Sequence, residues 1–184
     1  MCPTDEDIKI FHPSREENDG ADLVELASMT DFQRRSGNTA KAKQLGERLA
    51  RIEPDFLGGY GCELGGLENN ELYQVRVLMI FAFQISLHKF MPNTVLSAEA
   101  VNAMFNTLKE TEEQFFYNIT DGSSFTFYYL SVRKNRDVDL SIGKNFAMLC
   151  ERDDEDEYKN LGTKIFTSMC AYVCDIIEDA EFIE

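Results

Sequence analysis

Cys170 and Cys174 stand four residues apart near the end of the chain. On a helix that spacing turns both sulfurs to one side. With His88 or Cys150 added, they would make a soft-metal site. Zinc sites bring close ligand pairs from two places, and here there is one pair. The two thiols are therefore read as small apolar groups in a core, and no metal or other cofactor is expected. Cys62 and His88 are a conceivable nucleophile–base pair. Nothing local orients them, so His88 is read as a hydrogen-bonded residue at the core edge. No catalytic residue is assigned.

The run Asp153, Asp154, Glu155, Asp156, Glu157 suggests calcium. The EF-hand loop needs oxygen ligands at alternating positions and then a glycine. From Asp154 the third alternating position is Tyr158, and Lys159 stands where glycine belongs. The match fails, and acids here suit a helix N-terminus. Gly143-Lys144 looks like the end of a phosphate loop. Val138 and Asn145 occupy the places of the first glycine and the hydroxyl residue, so it is not one. The glycines at 58, 59, 61, 65 and 66 follow no strand and do not fit the dinucleotide fingerprint. They can shape a backbone anion site, so Gly58, Gly59 and Tyr60 are candidate ligand-binding residues. The plainer reading is a flexible connection. Carboxylate pairs such as Glu112 with Glu113 and Asp137 with Asp139 are too common in this chain to single out, and none sits in an apolar setting.

Those residues lie on a strongly polarised chain. The 184 residues carry a formal net charge of −15. Both ends are acidic, while residues 31–53 reverse sign through Arg34, Arg35, Lys41, Lys43, Arg48 and Arg51. Such a field repels nucleic acid and anionic membrane, and neither is an expected partner. A basic patch within an acidic chain pairs with its own acidic ends or with an acidic partner. Arg34, Arg35, Arg48 and Arg51, with Asp153, Asp154 and Asp156, are therefore the candidate partner-binding residues.

The opening stretch MCPTDEDIKIFHPSREEND has no apolar segment behind a basic flank, so no secretory leader is expected. The glycosylation pattern Asn118-Ile119-Thr120 then carries no meaning. The longest apolar run, Val77 to His88, is well short of the roughly 20 residues of a membrane span. Five cysteines without a leader point to reduced thiols in the cytoplasm.

The elements that must position these groups read as helices. Residues 1–19 are expected to be a mobile acidic arm, and 20–184 a single helical domain. A first helix is expected from Ala21 to Arg35, with Leu23, Leu26, Ala27 and Met29 close to one face. A second runs from Asn38 to Ile52 on the stripe Ala42, Leu45, Leu49, Ile52. Residues 54–68 form a glycine-rich loop. Asn69 or Asn70 caps a helix to Met91 that is apolar nearly all round, and so central. One helix then runs from Thr94 or Ser97 to Ile119. The segment FTFYYLSVRKN also suits a strand, but Ser123 or Ser124 as cap and the basic end favour a helix. A short helix from Asp139 to Cys150 follows. Asp153 to Glu157 open the last helix, whose stripe is Tyr158, Leu161, Ile165, Met169, Tyr172, Ile176 and Ala180. The sum is all-α, a single-domain irregular bundle of six or seven helices.

The stretches NNELYQVRVLMIFAFQISLHKFMPN, DGSSFTFYYLSVRKNRD and SIGKNFAMLC together resemble a family of small acidic helical bacterial proteins of unknown function. The likeness covers residues 69–150 and implies no activity and no functional residue.

Three function classes follow. The first is a cytosolic, non-enzymatic protein-interaction or regulatory module, favoured by the segregated charge and the lack of a catalytic constellation. The second is an acidic inhibitor that mimics nucleic acid. The third is a small-ligand binder or enzyme built on the glycine-rich loop 54–68.

Overall fold

The computed structural model describes residues 19–134 and 136–183. The arm expected at 1–19 lies outside them apart from Asp19. The described residues form eight α-helices and one 3₁₀ helix: α1 (Asp19–Arg35), α2 (Asn38–Ala50), the 3₁₀ segment Pro54–Tyr60, α3 (Asn69–Phe90), α4 (Thr94–Thr111), α5 (Glu113–Asp121), α6 (Ser124–Lys134), α7 (Val138–Leu149) and α8 (Asp156–Glu178). The fold is all-α.

Two packed pairs build most of it. α2 lies on α4, and α7 lies on α8; α3 packs against α8 and touches α4, α6, α7, α2 and the 3₁₀ segment. Glycine lets both pairs close tightly. A Cβ on Gly46 would run into the backbone carbonyl of Ala100, so α2 and α4 touch backbone to backbone. Gly143 does the same for α7 against Lys159 and Thr163 of α8. The glycine that imitates a phosphate loop in the sequence is a helix-crossing residue.

The count of six or seven helices is corrected to eight. Its physical reason is Glu112, whose backbone at φ −138°, ψ 56° leaves helical geometry and splits one expected helix into α4 and α5. Its carboxylate meets buried Arg76 of α3 at 2.9 Å. The segment with strand-like aromatics is helix α6. α3 starts on Glu68 rather than an asparagine. Glu68 and Glu71 form a reciprocal capping box, the Glu71 carboxylate accepting from the Glu68 N–H at 2.8 Å. Nor is α3 apolar all round, for Glu71, Gln74, Arg76 and Ser86 are buried along with its aliphatic and aromatic side chains. α8 starts at Asp156, three residues later than the acidic run suggests.

The core gathers on Phe81 of α3. Its ring meets Phe125, Tyr128 and Tyr129 of α6 at centroid distances of 5.2 to 5.5 Å, and Phe166 of α8 at 6.4 Å. The α8 stripe is buried at Ile165, Met169, Tyr172 and Ile176. α1 departs from expectation. Leu26 and Ala27 of its apolar face are exposed, and Met29 is half-buried.

Candidate functional site

The acidic run is anchored from below by one carboxylate. Glu71 is buried on α3 and its Oε1 accepts from the Tyr158 hydroxyl at 2.7 Å and from Arg152 Nε at 3.1 Å. Burial alone would raise its pKa. The Glu68 N–H, the Tyr158 hydroxyl and Arg152 outweigh that and hold the carboxyl below its usual value. The hydrogen bond to Glu71 pushes the Tyr158 phenol up to about 12, with burial adding to it. Arg152 and Tyr158 thus pin both ends of the run, and the five acids between them face solvent. Asp156 pairs with Lys159 at 2.9 Å one turn on.

The basic candidates do not form one patch with these acids. Arg34 and Arg35 end α1 and share Asp31, at 3.8 and 2.6 Å. Arg51 folds back on the Glu47 carbonyl at 3.3 Å. Arg48 sits over the Tyr172 ring, 5.9 Å from its centroid. Tyr172 lies 16 residues beyond Asp156 on α8, so Arg48 and the acidic run are separated by about 24 Å of helix at 1.5 Å per residue. The basic segment does meet the acidic C-terminal end, through main-chain oxygens. Lys41 Nζ donates to the carbonyls of Ala180 at 3.0 Å and Glu181 at 2.7 Å. The Asn38 side chain exchanges two bonds with Ile183, at 2.7 and 3.0 Å. Both carbonyls lie just past the end of α8 at Glu178, and a cation near a helix C-terminus is favourable.

In the glycine-rich segment, Gly58 and Gly59 face open space. Tyr60 is occupied in packing, its ring 5.5 Å from Phe56 and 6.4 Å from Tyr172. The Gly61 carbonyl accepts from Lys164 of α8 at 2.5 Å.

The four described cysteines, Cys62, Cys150, Cys170 and Cys174, are free thiols. Burial raises the pKa of Cys62 and takes Cys150 up to about 12. Neither has the lowered pKa of a nucleophile. His88 Nδ1 pairs with Ser97 Oγ at 3.0 Å. Among the described residues no three His, Cys, Asp or Glu side chains gather as a metal site requires. No described helix is long and apolar enough to cross a membrane.

A different surface stands out. Leu140, Lys144 and Met148 follow at four-residue steps on α7 and are all exposed, Leu140 by 58%. Phe127 and Leu130 of α6 line a shallow groove with Ser141, Lys144 and Asn145 of α7, Leu130 exposed by 47%. Asn145 fixes the two helices, donating to the Phe127 carbonyl and to Ser131 Oγ, both at 2.8 Å. On its other side Leu140 shares a groove with Asp156 and Lys159. Sequence reasoning passes over this face because FTFYYL reads as core on every side. Only the packing decides that Phe125 and Tyr128 point in while Phe127 and Leu130 point out.

The chain matches no family model, and comparison with curated proteins and with solved structures found no similar one. Its class is set by the fold alone, an all-α protein with an acidic chain and an exposed apolar face.

Proposed function

We propose that this chain is a non-enzymatic protein-interaction module of the cytoplasm, which seats a partner on the α6/α7 face. The observation that carries the reading is the exposure of Phe127 and Leu130 on α6 and of Leu140 and Met148 on the adjoining α7, on a chain of net charge −15. A charged protein stays soluble without such a patch, and large apolar patches mark interaction sites. Asp156, Lys144 and Lys159 give the Leu140 groove a rim of mixed charge, with Asp153 and Asp154 beside Asp156 in sequence. The matching partner is another protein with apolar side chains ringed by charges of both signs. Rim charges of this kind govern association rate and specificity more than affinity. Four free thiols support a reducing compartment.

The test compares affinity purification from the native cell with wild type, with Leu130→Asp/Leu140→Asp, and with Arg34→Ala/Arg35→Ala. Both sites of the first variant are exposed, so circular dichroism should be unchanged. A partner held by wild type and by the arginine variant but lost by the leucine variant supports the reading. A partner held equally by all three overturns it. A nucleic-acid-binding partner lost only on neutralising Asp153, Asp154 and Asp156 would replace it with the mimic reading.

A further inference from the structure

α3, α6, α7 and α8 surround a chamber of about 450 Å³ that shares no lining residue with the two grooves beside Leu130 and Leu140. Its walls are apolar: Ile85 of α3, Val132 of α6, Val138 of α7 and Phe166 of α8. Ser86 borders it too, but at 1% exposure its hydroxyl is closed to a ligand. Polar selectivity therefore falls to two exposed charges in the lining, Lys89 and Asp139. Lys89 stands one turn beyond Ile85 on α3, about 6 Å along the axis. Its ammonium lies 5.1 Å from the centre of the Phe90 ring. Asp139 is in the first turn of α7, where Thr163 Oγ1 of α8 donates to its carbonyl at 3.1 Å and holds that turn in place. Neither charge takes part in an ion pair among the described residues. Both reach one point of the lining, the Cys170 thiol. Burial raises the pKa of that thiol, Asp139 adds to the rise and Lys89 opposes it.

An apolar chamber with two opposite, unpaired charges in its exposed lining selects its ligand. A simple carboxylate is attracted by Lys89 and repelled by Asp139, and a simple amine meets the reverse conflict. An uncharged apolar molecule uses neither charge. A small zwitterion with an apolar tail satisfies both charges through charge-assisted hydrogen bonds and fills the space between the walls. We infer that the chamber binds a free α-amino acid with a large apolar side chain. Its carboxylate meets Lys89, its ammonium meets Asp139, and its side chain lies among Ile85, Val132, Val138 and Phe166. The volume is within the range of small-molecule sites. The inference does not depend on the partner surface of α6 and α7.

The experiment uses the full chain with methyl-labelled isoleucine and valine, titrated with L-leucine and followed by NMR. Saturable shifts are expected at Ile85, Val132 and Val138. Isocaproate, which is leucine without its amino group, and isoamylamine, which is leucine without its carboxylate, should each bind at least about fivefold more weakly, the worth of one exposed ion pair. Glycine, a zwitterion without the apolar side chain, should bind at least about tenfold more weakly. Lys89→Met should weaken leucine about fivefold without weakening isoamylamine, and Asp139→Asn should weaken leucine about fivefold without weakening isocaproate. Both positions are exposed, so circular dichroism should be unchanged in either variant. Val138→Phe, which fills the chamber from one wall, should abolish the shifts at Ile85 and Val132. Absence of saturable shifts with wild type means a chamber holding solvent only, and overturns the inference. So does isocaproate, isoamylamine or glycine binding as tightly as leucine, or leucine binding unchanged by both charge substitutions.

Discussion

The phenol of Tyr158 donates to Oε1 of Glu71 at 2.7 Å, across 87 residues of chain. It ties the first turn of α8 to the first turn of α3. The other oxygen of the same carboxylate caps α3 through the Glu68 N–H. One side chain therefore starts a helix and docks a second. Tyr158→Phe should cost about 1 kcal/mol and Glu71→Gln about 1–3 kcal/mol, since the latter leaves buried donors poorly served. The two losses should be non-additive in a double-mutant cycle read by denaturant unfolding, because they share one bond.

The same pair sets two edges of a pH profile. Glu71 has a folded pKa below its ordinary 4.5. Its contribution is complete above that value and is lost as pH falls through the folded pKa. Tyr158 has its pKa raised from 10.0 to about 12. Its contribution is complete below pH 10 and is lost as pH rises toward 12. Unfolding free energy followed with pH should fall at both edges. In Tyr158→Phe the alkaline edge should shrink, and in Glu71→Gln the acid edge.

On α8, Ile165→Ala and Ile176→Ala should each cost about 2–5 kcal/mol, with Ile165 the larger because it is fully enclosed. Asp175→Ala, on the exposed side, should change stability by less than about 0.5 kcal/mol. Paired denaturation curves decide it. A costlier aspartate change would mean that the helix faces the other way.

Gly46 inverts a familiar rule. Glycine to alanine inside a helix ordinarily gains up to about 1 kcal/mol. Here the new methyl would meet the Ala100 carbonyl across the α2/α4 contact, so Gly46→Ala should destabilise by about 1–3 kcal/mol. A thermal melt that rises would show that the helices can separate at no cost.

Ser86→Ala should do the reverse. It removes an unpartnered hydroxyl, 1% exposed, from the middle of α3 and replaces it with a better helix former. Stability should rise by about 1 kcal/mol. A loss of stability would mean that the hydroxyl is satisfied in solution.

Local signals carry the element types far in this chain. The stripe from Ile165 to Ile176 repeats at helical spacing and is buried as read. Gly37 lies in the turn after α1 and Pro92 in the bend after α3, and Asn93 caps α4 through the Leu96 N–H at 3.0 Å. These depend on neighbours a few residues away, which the sequence displays directly. Whatever depends on distant pairing is absent from it. Nothing local tells that Glu112 will break a helix to meet Arg76, or that Glu71 will be buried beneath Arg152 and Tyr158. Nor does anything local say that Gly143 serves a helix crossing, or that Ser86 will stand alone among apolar walls. The outward turn of Phe127, Leu130 and Leu140 is of the same kind. Their residue types suit a core, and exposure is settled by which faces the other helices have already covered. The sequence by itself determines helix, charge and most boundaries, because those are short-range properties. The tertiary structure decides the exposed face and the buried carboxylate, because each is made by residues on different helices.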